Sequence, residues 1–163
     1  GGIKWAAESK KNATIPGIPY GIDISILSDP VTVLPFCIQD GTIITAGTSE
    51  LLGPSAALIL NAVKHLAGID HSLKLIPQRL IEPIQFTKTH YLQGHNPRLH
   101  TDEVLVALSV LSTEDANCRR ALEMLPELRG CQVHSTVMLG EVDHKIFKKL
   151  GVGLTCDPAK KHR

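Results

Sequence analysis

Gln132-Val133-His134-Ser135-Thr136-Val137-Met138-Leu139, then Gly140, Glu141-Val142-Asp143-His144-Lys145-Ile146-Phe147-Lys148-Lys149-Leu150 and Gly151-Val152-Gly153-Leu154-Thr155-Cys156 carry the clearest structural signal in the chain. The first run reads as a strand. The second reads as a helix, with acids in its first turn, Lys148-Lys149 in its last and Gly151 as its stop. Val152 to Cys156 reads as another strand. Strand, ten-residue helix and strand make a parallel βαβ unit, expected to be right-handed.

Upstream of that unit, Glu114 to Leu125 is amphipathic. Ala121, Leu122 and Leu125 are expected to face in, with Asp115 and Arg119 paired four apart. Thr101-Asp102-Glu103 supplies a cap and two first-turn acids for a helix over Val104 to Leu111, although its β-branched content keeps a strand as the alternative. Pro77 to Gln93 reads as a helix that kinks or begins late because Pro83 lacks a backbone donor, and Gly94 ends it. Leu73 to Ile76 suggests a short strand. Ser55 to Ala67 reads as a mostly buried helix lying on a sheet, with Pro54 at its first position and Gly68 just past its end. Its polar residues Asn61, Lys64 and His65 share one narrow stripe. Further back, Val31 to Ile38 and Thr42 to Ala46 form a hairpin about Gln39-Asp40-Gly41, with Pro35 marking an edge or bulge. A polar helix over Trp5 to Lys11 precedes Pro16-Gly17-Ile18-Pro19-Tyr20-Gly21, which breaks regular structure. Hairpin, helices and βαβ together predict a layered α/β sandwich with a mixed sheet, residues 1–163 being a single α/β domain.

The composition excludes several function classes. A chain of 163 residues buries enough surface to fold without disulfides or a structural metal. Seventeen basic and sixteen acidic side chains leave +1, so no charge excess draws it to nucleic acid or anionic lipid. Aromatics at 4% disfavour a base-stacking platform. No apolar run reaches the length of a membrane span, and the strongest, Ala56 to Leu60, is broken by Asn61. Gly1-Gly2-Ile3-Lys4-Trp5 lacks an initiator Met and a signal pattern, so a piece of something longer is expected. Cys37, Cys118, Cys131 and Cys156 are scattered without a C-x-x-C pair, as free buried thiols of a reducing cytosol would be.

Chemistry concentrates in three places. The first is the loop His95-Asn96-Pro97-Arg98-Leu99-His100-Thr101-Asp102. Arg98 offers a planar fork for carboxylate or phosphate, and Asn96 is a ligand-binding candidate beside it, or with Pro97 shapes a turn. His95, His100 and Asp102 are the candidates for proton exchange near neutrality. The plainer reading is a helix–helix connection with solvated histidines. The second is Gly47 to Ser55, where Thr48, Ser49 and Ser55 stand between a strand and a helix and can present hydroxyls and amides to an anion. It is not a Walker A loop, because five residues separate Gly47 from Gly53 and Pro54 stands where the lysine belongs. Helix capping is its plainer role. The third joins His134-Ser135-Thr136, at a strand's carboxyl end, to Glu141, Asp143 and His144. There a satisfied core histidine and dipole-complementing acids are the plainer reading. Zincin, nucleophile-elbow, dinucleotide-binding and zinc-deaminase signatures are all missing, so no metal ligand set and no particular cofactor is indicated.

Three blocks, Thr48 to Ala57, Gly94 to Glu103 and Leu128 to Val137, together closely resemble the uncharacterised bacterial family called domain of unknown function 1846. The likeness covers nearly the whole chain, which resembles the C-terminal part of those longer proteins. The resemblance implies a soluble, cytoplasmic, oligomeric protein and a three-layer αβα, cytidine-deaminase-like architecture. It supplies no established catalytic residue. Members have been labelled ATP-dependent peptidases, but the zincin helix and Walker A loop that label calls for are missing here. An active site at the boundary with the upstream region would be incomplete in this chain alone.

The expectation is therefore the C-terminal domain of a soluble enzyme acting on a small anionic, phosphate-bearing ligand. A homo-oligomer through the full-length protein is what the resemblance implies, and neither nucleic acid nor membrane is expected as a partner. The alternative is a non-catalytic assembly domain.

Overall fold

The computed structural model describes residues 36–37, 42–136 and 138–156. The expected helix over Trp5 to Lys11, the Pro16 to Gly21 break, Val31 to Pro35 and the Gln39-Asp40-Gly41 turn lie outside them. In chain order the elements are β1 (Phe36–Cys37), β2 (Ile43–Ile44), α1 (Pro54–Leu66), α2 (Gln78–Phe86), α3 (Thr101–Leu111), α4 (Ala116–Glu123), β3 (Gln132–Ser135), α5 (Glu141–Leu150) and β4 (Gly153–Cys156). A π-helical turn, Thr87–Tyr91, follows α2, and a 3-10 turn, Leu125–Leu128, follows α4.

The four strands form one mixed sheet in the order β2-β1-β3-β4. β1 pairs antiparallel with both β2 and β3, and β3 pairs in parallel with β4, Val133 opposite Leu154. The protein is thus α/β, with the βαβ unit where the sequence places it. α5 has the expected bounds, and Gly151 stops it at φ +77°. Such a left-handed angle suits glycine because it has no Cβ to clash.

α1 runs through the centre. Leu58, Ile59, Ala62 and Val63 are fully buried, as are Val104 and Leu108 of α3, Cys118 and Ala121 of α4, and Phe147 of α5. α1 touches β2 but packs along α3 and α4, so it lies among helices as much as on a sheet. Along its polar stripe Lys64 is buried, Asn61 is half-buried and His65 is exposed. Cys118 and Cys131 are buried, and Cys156 is half-buried.

Several expectations need correction. Leu73 to Ile76 is not a strand. Its carbonyls are taken by side chains instead, Leu73 O by Lys64 Nζ at 3.0 Å and Leu75 O by Cys118 Sγ at 3.3 Å, while Leu75 and Ile76 sink into the core. α2 does not begin late. It starts at Gln78, carries Pro83 inside and passes into the π turn, whose wider bond runs from Leu92 N to Thr87 O at 3.0 Å. Gln93 takes the left-handed φ of +55° at its end, in place of Gly94. Asp115 does not pair with Arg119: it caps α4, accepting from Asn117 N and Cys118 N, and Arg119 turns to Ser112 O. Leu122 and Leu125 do face in, half-buried and packed against the core, but the strand expected over Gln132 to Leu139 ends at Ser135.

Candidate functional site

The loop at 95–102 and the junction at 48–55 are joined through their backbones. Leu52 and Leu99 form a parallel bridge, with Leu99 N donating to Leu51 O and Gly53 N to Leu99 O, each at 3.0 Å. Leu99 is fully buried, so the bridge has apolar cover. Beside it Arg98 reaches across the gap, its Nε–H donating to Ser49 O at 2.6 Å. The remaining N–H groups of its guanidinium have no partner among the described residues.

Local bonds hold both segments in shape. Ser49 Oγ accepts from Leu51 N at 3.2 Å and Leu52 N at 3.0 Å, an ST-turn that aims the Ser49 carbonyl at Arg98. Asn96 Oδ1 accepts from Arg98 N at 3.0 Å, closing the turn around Pro97. Lys88, on the π turn, donates to Arg98 O and pairs with Glu103 Oε1 at 2.7 Å. The same Glu103 oxygen accepts from His100 N at 2.8 Å. The N-cap of α3 is therefore His100, with Glu103 folded back on it, and not Thr101 as the sequence suggests. Gly94 N donates to Lys88 O at 2.8 Å, and a Cβ on Gly94 would stand 2.9 Å from that oxygen. Only glycine permits the approach.

Thr101 is fully buried, and its hydroxyl donates to Asp143 Oδ1 at 3.0 Å. That bond joins the N-termini of α3 and α5, and the Asp143 carboxylate sits where the partial positive charges of both helices favour it. The third sequence cluster is thereby tied to the first.

α1 begins with no side-chain cap. Pro54 has no N–H, and Gly53 N is spent on Leu99 O. Ser55 is 1% exposed, and its hydroxyl has no hydrogen-bond partner among the described residues. A buried helix end left open in this way is a place for an anion or polar group to bind.

The other sequence candidates are placed as follows. His95 and Asp102 are exposed, His100 and Thr48 half-buried. Asp102 Oδ1 accepts from Glu103 N at 2.8 Å. His134 is buried on β3 and shares a 2.8 Å bond with Thr155 Oγ1 on β4, so the two parallel strands hold the ring. Among the described residues no three His, Cys, Asp or Glu side chains converge to hold a metal ion. No helix among them is long and apolar enough to cross a membrane. Sequence reasoning missed Lys88, which lies on the π turn, 15 residues from Glu103 along the chain.

The family model described as "Domain of unknown function DUF1846, C-terminal" matches residues 6–163. A UPF0371 protein of Corynebacterium aurimucosum is 61% identical over 121 residues, 74% of this chain and 24% of that protein. One from Corynebacterium diphtheriae is 55% identical over 130 residues, covering 78% and 26%. One from Streptococcus pyogenes serotype M5 is 44% identical over 125 residues, covering 77% and 25%. The chain spans about a quarter of the length of these curated relatives.

Proposed function

The chain belongs to the DUF1846 family, as its C-terminal domain, and on that premise we propose that it binds a small anionic, phosphate-bearing metabolite through Arg98 and the N-terminus of α1. One observation carries the reading. The Arg98 guanidinium is anchored by Nε on Ser49 O at 2.6 Å, and the segment it holds runs past the Leu52–Leu99 bridge into a helix start whose Ser55 hydroxyl is buried and unpartnered among the described residues. An arginine fork and open helix amides recognise the same chemistry, an oxyanion with several acceptor oxygens. Lys88, Glu103 and Asn96 fix the loop, so the fork is preorganised. His95, His100 and Asp102 are the proton-transfer candidates of the proposal, and Thr48 is a further contact. Ser49 and His134, whose polar atoms are already engaged, act by positioning. The whole protein is proposed to be a soluble, cytoplasmic, homo-oligomeric enzyme. The proposal extends to the three-layer, cytidine-deaminase-like arrangement, which a hairpin followed by a parallel βαβ unit supports.

Calorimetric titration with inorganic phosphate and a panel of phosphate-bearing metabolites tests the reading, run on this chain and on a longer family protein containing it. Saturable binding that drops at least tenfold in Arg98→Ala is the expected result. Binding indifferent to Arg98→Ala removes the clamp.

A second reading, an assembly domain, is favoured by a groove of about 470 Å³ between α2 and α3. Leu80, Ile84, Val106 and Val110 line it, and Val106 and Val110 are 64% and 65% exposed. Neighbouring apolar side chains this open are the mark of a surface that another protein surface covers.

A further inference from the structure

Ala57, Leu60, Asn61 and Lys64 recur at i, i+3, i+4 and i+7, so they share one face of α1. That face forms a wall of a half-enclosed cavity of about 150 Å³, closed on other sides by Leu51, Leu75, Ile76 and Ile81. Lys64 and Lys74 also line it, and no carboxylate does.

Lys64 is the anomaly. It is 8% exposed, and its Nζ donates to His71 O at 2.8 Å and Leu73 O at 3.0 Å. An ammonium carries three N–H groups, so one is left without a partner among the described residues. It has no ion pair there either. The acid that acts on it from a distance, Asp70, makes no ion pair with it and turns one oxygen, Oδ1, to Ser72 N at 2.8 Å and Ser72 Oγ at 2.6 Å. Burial lowers the Lys64 pKa, Asp70 opposes that, and the positive charge of Lys74 adds to it. Asn61 and Lys64 also line a more open pocket of about 490 Å³ with His65 and His71, again without a carboxylate. A buried cation in apolar surroundings normally has a counter-charge. Here the described residues supply none in contact with it.

We propose that this cavity binds a monocarboxylate with a compact apolar body of about six carbons, its carboxylate meeting Lys64 and Lys74. The size follows from volume, since an apolar protein cavity of about 150 Å³ accepts benzene. The class follows from the walls, which are hydrocarbon on most sides and cationic at one. Asn61 gives one N–H to Thr45 O at 3.1 Å and keeps its second for the ligand. No residue from 95 to 102 lines the cavity, although Ser49, whose carbonyl Arg98 holds, stands at its edge.

Benzoate titrated into the full 163-residue chain by calorimetry is the test, with benzyl alcohol and benzylamine as uncharged and cationic counterparts. Saturable binding of benzoate alone is expected. Ala57→Leu, which fills the cavity from an intact helix face, should weaken it by about tenfold or more, and Lys74→Ala by several-fold. Inorganic phosphate should not displace bound benzoate, which separates this site from the phosphate reading. Lys64→Met releases two carbonyls and can unfold the chain, so the other variants decide the question. Absence of saturable benzoate binding, equal binding of benzyl alcohol, or binding undiminished in Ala57→Leu would each overturn the proposal.

Discussion

At the start of α1, Ser55 keeps a hydroxyl 1% exposed and unpartnered among the described residues. Leaving such a group buried and unpaired costs about 1–3 kcal/mol. Ser55→Ala should therefore stabilise the chain by about 1 kcal/mol in urea denaturation while weakening phosphate binding. A loss of stability would show that the hydroxyl already has a partner. Cys118 makes a second prediction. Burial, with a smaller contribution from Asp115, raises its thiol pKa from 9.0 to about 11. The folded state thus keeps a proton that the unfolded chain has released. The stability this contributes is full below pH 9.0 and is lost as pH rises toward about 11. Between those values the wild-type chain should lose stability more steeply than Cys118→Ala, measured as denaturation midpoints against pH. Parallel slopes would contradict the assignment. Neither residue announced this in the sequence, because each depends on neighbours distant along the chain.

Between elements, the loop ahead of α3 is held by Lys88 and Glu103, whose side chains are 14% and 26% exposed. Glu103→Gln keeps an oxygen for His100 N and removes the charge that Lys88 pairs with. Partly exposed pairs contribute little, so about 0.5–1 kcal/mol of stability should be lost. The sharper readout is local: amide exchange at Gly94 and Leu99 should quicken while the α1 core stays protected. Unchanged exchange would mean the loop is held by the Leu52–Leu99 bridge alone. The legible elements are those whose signals are local. Glu141 to Leu150 has acids first, lysines last and a glycine stop, and α1 has a proline start, so both are found within a residue. Glu103 reads as a first-turn acid and is one, yet its folding back on His100 and its bond to Lys88 need coordinates. Leu73 to Ile76 looks like a strand in composition and fails as one because its carbonyls serve Lys64 and Cys118.

For the whole molecule, the parallel unit β3-α5-β4 and the β1–β2 pairing are sequential in the chain, and both follow from pattern. Placing β1 against β3 joins segments about a hundred residues apart, with Cys37 opposite Gln132, and no periodicity encodes such a pairing. The Arg98–Ser49 contact, 49 residues apart, is of the same kind: each partner stood out as polar loop chemistry, but their meeting depends on the Leu52–Leu99 bridge. The groove between α2 and α3 is the molecular feature least visible in advance, because Val106 and Val110 look like core positions of an apolar helix and are instead open. Their exposure makes a prediction about association. If another surface covers this groove, the chain should self-associate with rising concentration in sedimentation equilibrium, and Val106→Lys with Val110→Lys should return it to monomer. Both positions are exposed, so the double change should alter stability by no more than about 1 kcal/mol, which separates lost association from lost fold. A wild-type chain that stays monomeric over the whole concentration range would leave the groove without a self-packing role and count against the assembly reading.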